Sequence, residues 1–417
     1  MMRVHPFHAA ALLLIVPLVG CQAKSPVQPP ADPISDRSLA PAVQADARVL
    51  VEANNRFAID LYTRLRDQPG NLFLSPYSMS TAFGMAYAGA AGSTQAEMAK
   101  VFRFELPSGR LHATFGELRR SLDRGTRSGA YELRTANRAW GQKGLPFVPG
   151  FLEVTREQYG AQMQEADFIH ESEPARLEVN GWVAGQTNDR IRDLFPGGSI
   201  NAYTRLVLAN AIYFKGLWNR PFDPKNTVDA PFHFGPVEAA MVPTMVQEDA
   251  FRTAVTDEVQ VLELFYRGQD LSMVVVLPRQ MDGLARVEEG LTWEKLSAWL
   301  APLAERTLEV HLPSFKFGSK FELPLVLSEM GMPTAFTEAA DFSGIDGRND
   351  LHIAAAFHQS FVEVNEEGTE AAAATGISVG ATSVRPSFHA NHPFLFLIRD
   401  HVTGSVLFLG RVIDPRT

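Results

Sequence analysis

One serine of this 417-residue chain lies in a pattern associated with nucleophilic catalysis. Residues 376–380, with the sequence GISVG, fit the G-x-S-x-G turn, which needs a strand before the serine and a helix after it. Pro386 follows closely and makes a poor helix start, and the acid and histidine that should come later are only the adjacent pair Asp400 and His401. A serine hydrolase using Ser378 is therefore an alternative that the sequence disfavours.

Other residues that could bind a ligand are few. His389 and His392 lack further plausible metal ligands, so we expect no metal site and no cofactor. Cys21 is the only cysteine, so the folded part must be stable without disulfides. The net charge of −9 comes from mixed signs, and no basic run is interleaved with aromatics, so we expect no nucleic-acid partner.

The N-terminal segment has the features of an export signal followed by a tether. Residues 9–19 are apolar over about half the roughly 20 residues of a membrane-spanning helix, so residues 1–20 are interpreted as a signal peptide. Leu18-Val19-Gly20-Cys21 is similar to the bacterial lipoprotein processing box, which implies that Cys21 is lipidated; a plain secretory signal is the alternative. Residues 21–44 are rich in Pro, Ala and Ser and predict a flexible tether.

The export signal also predicts where the protein resides. Gln22 follows the cysteine, and by the sorting rule of enteric lipoproteins this favours the outer membrane. We expect an exported protein that is lipid-anchored to the cell envelope, with periplasmic or extracellular release as the alternative. Its membrane contact would be through the lipid anchor only, and we expect a monomer.

Residues 45–417 contain no further linker or repeat and predict a single domain. Helical spacing of apolar residues occurs in five segments, 45–66, 76–91, 93–102, 110–122 and 174–190. Short β-rich runs occur at 206–214, 271–277, 361–364, 394–398 and 406–409. The continuous hydrophobicity of these runs predicts strands buried on both faces. Runs of helices and runs of strands, without regular alternation, predict the α+β class.

An alanine-rich segment lies in the long connection between two of these strands. Residues 366–376 read EEGTEAAAATG, and connections longer than about 12–15 residues are usually functional or disordered. A surface helix is the simpler interpretation, but β-branched and glycine residues after Ala374 disfavour it. A segment that enters a sheet as a new strand needs small, uncharged side chains at alternate positions. That alternate set is Thr369, Ala371, Ala373 and Thr375.

The same segment carries a family resemblance. GTEAAAAT after an acidic pair resembles the hinge of the reactive-centre loop in inhibitory serpins. Further motifs along residues 45–412 are similar to those of the family, namely NLFLSPYS at 71–78, GAAGST at 89–94, NGWV at 180–183, LVLANAIYFKGLW at 206–218 and HPFLF at 392–396. The resemblance implies a serpin fold, in which helices pack around large β-sheets and a reactive-centre loop at about 366–390 is exposed.

The resemblance also implies roles for individual residues. The loop hinge would consist of Glu366, Gly368, Thr369, Glu370, Ala371, Ala372, Ala373, Ala374 and Thr375. The polar cluster at which the sheet opens would consist of Ser75, Ser78, Asn210 and His358, with Trp218 near the top of the opening. Loop length implies a reactive bond between Thr382 and Ser383, with Ala381 as an alternative and Arg385 as a further target for trypsin-like enzymes.

Two positions depart from the family pattern. Ser314 stands where the family often has a lysine that pairs with the residue matching Glu366, and we expect Lys316 to substitute for it. The His-Lys-Ala triplet common in the family is His358-Gln359-Ser360 here.

The function implied by the resemblance is suicide-substrate inhibition, not catalysis. The target protease would cleave the loop, and insertion of the loop as a strand would trap the acyl-enzyme. A small residue at the reactive bond implies a serine protease with a small pocket, elastase-like or subtilisin-like, and a cysteine protease is an alternative target. A non-inhibitory serpin acting as a binding module is the alternative function.

Overall fold

A computed structural model describes residues 1–2, 37–235, 237–369 and 386–416 of the chain. By its internal contacts the chain divides into two units, residues 1–32 and residues 33–417. Only the first two residues of the first unit are described, and all helices and strands belong to the described part of the second unit.

Helices predominate in the first part of this unit. The longer ones are α1 (Pro41–Leu65), α2 (Pro76–Tyr87), α3 (Gly92–Phe102), α4 (Ser108–Arg127), α5 (Pro149–Tyr159) and α6 (Ser172–Gln186). Shorter ones follow as α7 (Leu284–Glu289), α8 (Trp293–Leu300), α9 (Leu323–Met330) and α10 (Ser343–Asp346). Helix α2 shows why these segments begin where they do. The Ser75 hydroxyl accepts the Ser78 N–H at 3.2 Å, and Pro76 occupies the first turn, where its missing N–H costs nothing.

Two sheets carry the strands. The nine-stranded sheet contains β1 (Leu72–Leu74), β5 (Val228–His233), β6 (Ala239–Val255), β7 (Val259–Phe265), β8 (Leu271–Pro278), β9 (Ala304–Pro313), β13 (Ser387–His389), β14 (Phe394–Asp400) and β15 (Val406–Val412). The six-stranded sheet runs in the order β10 (Phe315–Glu322), β11 (Ala355–Asn365), β12 (Gly368–Thr369), β4 (Leu206–Leu217), β2 (Tyr131–Gln142) and β3 (Gln164–Ala166).

The six-stranded sheet packs on the nine-stranded sheet with one face and on helix α6 with part of the other. One face packs on the nine-stranded sheet through a cluster rich in aromatic residues, to which β4 contributes Ile212 and Phe214 and β11 contributes Val362 and Val364. On the opposite face α6 covers β2 and β4 through a second apolar cluster. A strand added between β4 and β11 must therefore pack its inward side chains against the nine-stranded sheet, which restricts those side chains to small ones.

The α+β class and the sheet-and-helix architecture are confirmed, and the five predicted strands lie within β4, β8, β11, β14 and β15. One boundary differs from expectation. Helix α1 begins at Pro41, before the expected domain start at residue 45, and Arg37 in the expected tether is only 1% exposed. The Arg37 guanidinium binds the buried Asp400 carboxylate at 2.9 Å, so the fold already includes this part of the segment.

Candidate site of loop insertion

Strands β4 and β11 pair directly along part of their length and then separate. They are parallel, and residues 355–361 of β11 pair with residues 207–213 of β4. Beyond that stretch the two-residue strand β12 lies between them and is antiparallel to both, with Thr369 opposite Gly216 on one side and Val364 on the other. The first residues of the alanine-rich segment are therefore already part of the sheet.

Position 368 requires a glycine, because the backbone of β12 approaches the backbone of β4 closely there. Its φ of +153° is rarely adopted by L side chains, and an added Cβ would lie 2.0 Å from the carbonyl oxygen of Gly216. Backbone bonds fix the chain just before it, since the Trp218 N–H donates to the Glu367 carbonyl and the Phe222 N–H to the Glu366 carbonyl, both at 2.7 Å. The hinge is thus tied to the chain that follows β4.

Thr369 points into the core between the two sheets. It is 1% exposed, and its hydroxyl lies 2.9 Å from the Tyr266 hydroxyl. The Tyr266 ring stacks on the Trp218 indole with centroids 4.7 Å apart, and the indole N–H donates to the Asn365 carbonyl at 3.0 Å. Burial raises the pKa of Tyr266, so this phenol stays protonated. Trp218 therefore lies at the split as the resemblance implies, whereas Tyr266 was missed because it lies 103 residues from Thr369 along the chain.

The carboxylates at the start of the hinge have other partners than expected. Glu366 accepts a hydrogen bond from the Thr227 hydroxyl at 2.6 Å. Lys316 binds Glu363 at 2.9 Å, so the expectation that it pairs with Glu366 was wrong. Lys316 in β10 and Glu363 in β11 occupy paired positions of neighbouring strands, which explains why the lysine binds this carboxylate. Burial, and then the neighbouring Glu366 charge, raises the pKa of Glu367.

A polar cluster crosses the stretch where β4 and β11 still pair directly. The Ser75 N–H donates to Nε2 of His358 at 3.0 Å, and Nδ1 of the same ring contacts the Asn210 side-chain oxygen. The imidazole is therefore neutral with its proton on Nδ1. The Asn210 amide in turn donates to the Ser78 hydroxyl at 2.8 Å and to the Asn137 side-chain oxygen at 2.6 Å.

The electrostatics of this cluster follow from its burial. Burial lowers the pKa of His358 to about 3, because the protonated imidazole would lose its hydration in this site. Asn137 was not predicted from the sequence, although its position opposite Asn210 in the β2–β4 ladder would have shown it once the register was known. The cluster joins α2 to strands β2, β4 and β11 by directional bonds, which can be exchanged when the strands move apart.

Several predicted residues lie outside the part of the chain that the structure describes. They are Cys21, Glu370, Ala371, Ala372, Ala373, Ala374, Thr375, Ser378, Ala381, Thr382, Ser383 and Arg385. The two downstream partners of a Ser378 hydrolase do have described positions. Asp400 is paired with Arg37, and His401 contacts the buried Glu263 at 3.0 Å, so each has a structural partner.

The described residues were also expected to hold no metal ion, and their histidines have structural partners. Within the described residues, no three His, Cys, Asp or Glu side chains cluster in a way that could hold a metal ion. His389 stacks on His311 with ring centroids 4.1 Å apart, and His392 binds the Pro278 carbonyl at 2.8 Å. No helix in the same residues has the length and apolar character needed to cross a bilayer.

Comparisons with known proteins agree on one family. The sequence model described as Serpin (serine protease inhibitor) matches residues 52–415. The chain is 42% identical over 380 residues to antithrombin-III of Mus musculus, covering 88% of this chain and 82% of that protein. It is 41% identical over 379 residues to leukocyte elastase inhibitor of Homo sapiens, covering 88% and 99%. The solved structure of uncleaved ovalbumin matches with a TM-score of 0.80 at 32% identity, covering 88% of this chain and 100% of that one.

Proposed function

This chain belongs to the family described as serine protease inhibitors, the serpins, and is not an enzyme. From that premise we propose that it inhibits a serine protease by inserting its cleaved loop between β4 and β11. The observation that carries the proposal is β12, because Gly368 and Thr369 already pair with both strands. A strand that has started at the correct place can extend without a new nucleation step.

The existing register predicts where the rest of the loop would go. Each residue forward along the loop moves one residue back along β4 and along β11, because β12 is antiparallel to both. Ala371 would lie opposite Phe214 and Val362, and Ala373 opposite Ile212 and Ser360. Methyl groups at these positions add little volume to a layer that is already packed.

Continuing this register six residues from Thr369 places Thr375 between Asn210 and His358. These two side chains now contact each other directly and would be separated by the new strand. The Thr375 hydroxyl both donates and accepts, so it can replace the contact that is lost. On insertion, the polar cluster would open between Asn210 and His358, and the Thr375 hydroxyl would restore its hydrogen bonds.

Trapping depends on the relative rates of two steps, insertion of the loop and hydrolysis of the ester that joins it to the protease. The protease serine attacks the Thr382 carbonyl, the bond to Ser383 breaks, the Ser383 amine leaves with a proton, and the loop remains attached to the protease as an ester. Insertion of residues 370–381 exchanges the seven direct pairs between β4 and β11 for two antiparallel ladders. If insertion outpaces hydrolysis of the ester, the protease is carried along and its catalytic geometry is distorted.

The target we propose is a serine protease with a small specificity pocket. Thr382, or Ala381 if the bond is one residue earlier, fits elastase-like or subtilisin-like enzymes, and one relative is by name an elastase inhibitor. Four alanines in the hinge favour inhibition over the alternative of a non-inhibitory binding module, because a bulky or charged hinge would resist burial.

The test is incubation with elastase, subtilisin and trypsin, followed by denaturing electrophoresis and mass spectrometry. We expect an SDS-stable complex with elastase or subtilisin and a released peptide that begins at Ser383. Cleavage of the loop without any stable complex would contradict inhibition and favour the binding-module alternative. A peptide beginning at Pro386, with a trypsin complex, would move the reactive bond to Arg385.

Localisation is a separate proposal, supported by residues 1–22 alone. We propose that Cys21 is lipidated in a bacterial host and anchors the protein to the cell envelope, with the outer membrane favoured. Labelling with radioactive palmitate should mark the wild type and fail to mark Cys21→Ser. An unlabelled wild type recovered from the medium would support the plain secretory signal instead.

A further inference from the structure

Two histidines face each other at the β13 edge of the nine-stranded sheet. His311 of β9 and His389 of β13 occupy paired positions of parallel strands. Their rings stack with centroids 4.1 Å apart and planes inclined by 21°. His389 is exposed and His311 is partly exposed, so both imidazoles can be reached from solvent. The sequence predicts no further ligand for His389, whereas the fold brings His311 beside it.

A carboxylate fixes the orientation of one of these rings. Nε2 of His311 lies 2.7 Å from the Glu309 carboxylate, which can only accept a hydrogen bond. In the neutral ring the proton is therefore on Nε2, and Nδ1 carries the lone pair. Histidines that bind metals commonly donate their second nitrogen to a carboxylate in this way, which makes the first nitrogen a stronger ligand.

The spacing of the two rings suits a single ion. Zinc binds imidazole nitrogen at about 2.0–2.1 Å, so two such nitrogens lie roughly 3.4 Å apart in tetrahedral geometry and about 4.1 Å apart on opposite sides of an ion. The centroid separation of 4.1 Å allows a nitrogen of each ring to reach one ion. Because Glu309 stays bound to His311, the protein supplies two ligands and water the others. This fits the absence of a three-residue ligand cluster in the described part of the chain.

We propose that His311 and His389 bind a divalent transition metal ion such as zinc, with Glu309 orienting His311. Imidazole ligands suit zinc, copper and nickel, whereas magnesium and calcium prefer oxygen ligands. The bound ion links β13 to β9 on the side of the sheet from which both rings are accessible.

The strand that this ion holds has a short attachment. Strand β13 pairs with β9 over three residues, of which only Phe388 is buried. Its flanks add the bond from the Glu309 N–H to the Pro386 carbonyl at 3.0 Å and the bond from the Ala390 N–H to the His311 carbonyl at 2.9 Å. A metal link between the two rings therefore reinforces a strand that few other contacts hold.

Holding β13 has a consequence for the loop, and this part rests on the proposed function. Strand β10 begins just after β9 ends, and its first residue, Phe315, is separated from Thr369 at the hinge only by β11. Full insertion would carry Ala381 roughly 40 Å along the sheet from this end. The chain from Ala381 to Ser387 spans at most about 20 Å. The intact loop can therefore insert fully only if β13 leaves β9, whereas a loop cut after Thr382 has no such restraint.

The bound metal therefore preserves the inhibitor before it meets a protease. It keeps β13 on β9 and opposes insertion of the uncleaved loop, while insertion after cleavage proceeds as before. Only the closed strand pair binds the ion through both rings, so zinc at about ten times its dissociation constant makes the open form about tenfold rarer. The half-life of inhibitory activity on storage should lengthen about tenfold, with an unchanged stoichiometry of inhibition for fresh protein.

Metal binding is measured on the intact protein without protease, so the result does not depend on inhibition. Isothermal titration should show one site per chain for zinc chloride and for nickel chloride, and none for magnesium chloride. Glu309→Gln should weaken zinc binding about tenfold, as for other carboxylates that orient a ligand histidine, and His311→Gln or His389→Gln should weaken it further. The double histidine variant should bind no more weakly than either single variant, because both rings hold the same ion.

His170→Gln is the matched control and should bind zinc as the wild type does. His170 is also exposed and lies 3.1 Å from a carboxylate, that of Asp167, but in the described residues it is not part of a histidine pair. Zinc binding that survives the double histidine variant at full strength, or no zinc binding by the wild type at millimolar concentration, overturns the site.

Hydrogen exchange of the wild type decides if a variant fails to fold. Zinc, and not magnesium, should slow the exchange of backbone amides in residues 387–390, and equal exchange with both ions overturns the link between β13 and β9. Zinc binding without a longer half-life of inhibitory activity contradicts only the consequence for the loop. Zinc binding through the pair in a protein that traps no protease contradicts the proposed function and supports the metal site.

Discussion

The hydroxyls of Thr369 and Tyr266 lie 2.9 Å apart in the core, beneath the point where β4 and β11 separate. This contact joins the second residue of β12 to Tyr266, the residue that directly follows β7 of the nine-stranded sheet. Tyr266 is held in turn by stacking on Trp218. The start of the hinge therefore lies between the two sheets before any protease arrives. The size of the side chain at position 369 then decides whether the strand can extend.

Replacing Thr369 by arginine should convert the inhibitor into a substrate. Arginine at this position would carry its charge into the core between the two sheets, so the barrier to insertion would rise by several kcal/mol. Each ~1.4 kcal/mol of that rise changes the ratio of trapping to hydrolysis about tenfold. The stoichiometry of inhibition by the target protease measures this ratio. Thr307→Arg, at an exposed position of β9, is the control and should inhibit normally. Trapping that survives Thr369→Arg would show that insertion is not the mechanism.

Removing the Thr375 hydroxyl should weaken the cleaved form, in which we expect the loop to be inserted. In the inserted register this hydroxyl lies between Asn210 and His358, and a buried polar group left without a partner costs about 1–3 kcal/mol. Denaturant unfolding of the cleaved protein should show this loss for Thr375→Val, and Thr375→Ser should retain the stability. If the valine variant matches the wild type after cleavage, the loop takes another register.

His358 should make stability fall in acid. Its pKa is about 3 in the folded protein and near 6.5 when unfolded, so between these values only the unfolded state binds the proton. The free energy of unfolding then decreases by up to about 1.4 kcal/mol for each pH unit below 6.5, and the residue contributes no slope above that pH. His358→Gln keeps a donor and an acceptor but cannot titrate, so its curve should be flatter between pH 4 and pH 6.

Urea unfolding at several pH values measures that difference. His352→Gln, at a partly exposed histidine, is the control and should keep the slope of the wild type. Parallel curves for the wild type and His358→Gln would contradict a neutral buried imidazole in the polar cluster.

Arg37 should contribute to stability although it precedes the first helix. Its guanidinium pairs with Asp400, which is 1% exposed, and breaking a buried pair typically costs about 3–5 kcal/mol because one charge is left unpaired. We expect Arg37→Met to lose roughly 3 kcal/mol or more of unfolding free energy in urea, and Arg64→Met, on the exposed face of α1, to lose little. Equal stability of the two variants would contradict this role of Arg37 and would assign the residue to the tether.

The sequence predicted the elements whose environment is uniform along their length. Strand β8 is buried at every position and β15 likewise, so continuous hydrophobic runs identified both. Strand β2 was missed because it is an edge strand over most of its length, with exposed Arg134 and Thr135 breaking the pattern. Strand β6 was missed for a similar reason, since its 17 residues alternate between buried and exposed and include Pro243.

The site was predictable only in part. The resemblance supplied Ser75, Ser78, Asn210 and His358, and the structure brings them together. Tyr266 and Asn137 could not be predicted, because each meets its partner through the register of strands far apart in sequence. Arg37 lay in a segment of linker composition, and its burial depends on a carboxylate 363 residues away.

Heat resistance of the intact and the loop-cleaved protein tests the account most directly. Cleavage at Thr382–Ser383 followed by insertion adds a central strand of roughly 12 residues, with a net gain of about 1 kcal/mol for each of its ladder hydrogen bonds. A gain of that size should raise the unfolding midpoint by on the order of 10–20 °C, since a domain of about 380 residues gains roughly 1.2 °C for each kcal/mol at about 2.1 cal/mol/K per residue. Equal midpoints for the two forms, with the cleaved segment still accessible to a second protease, would contradict insertion of the loop.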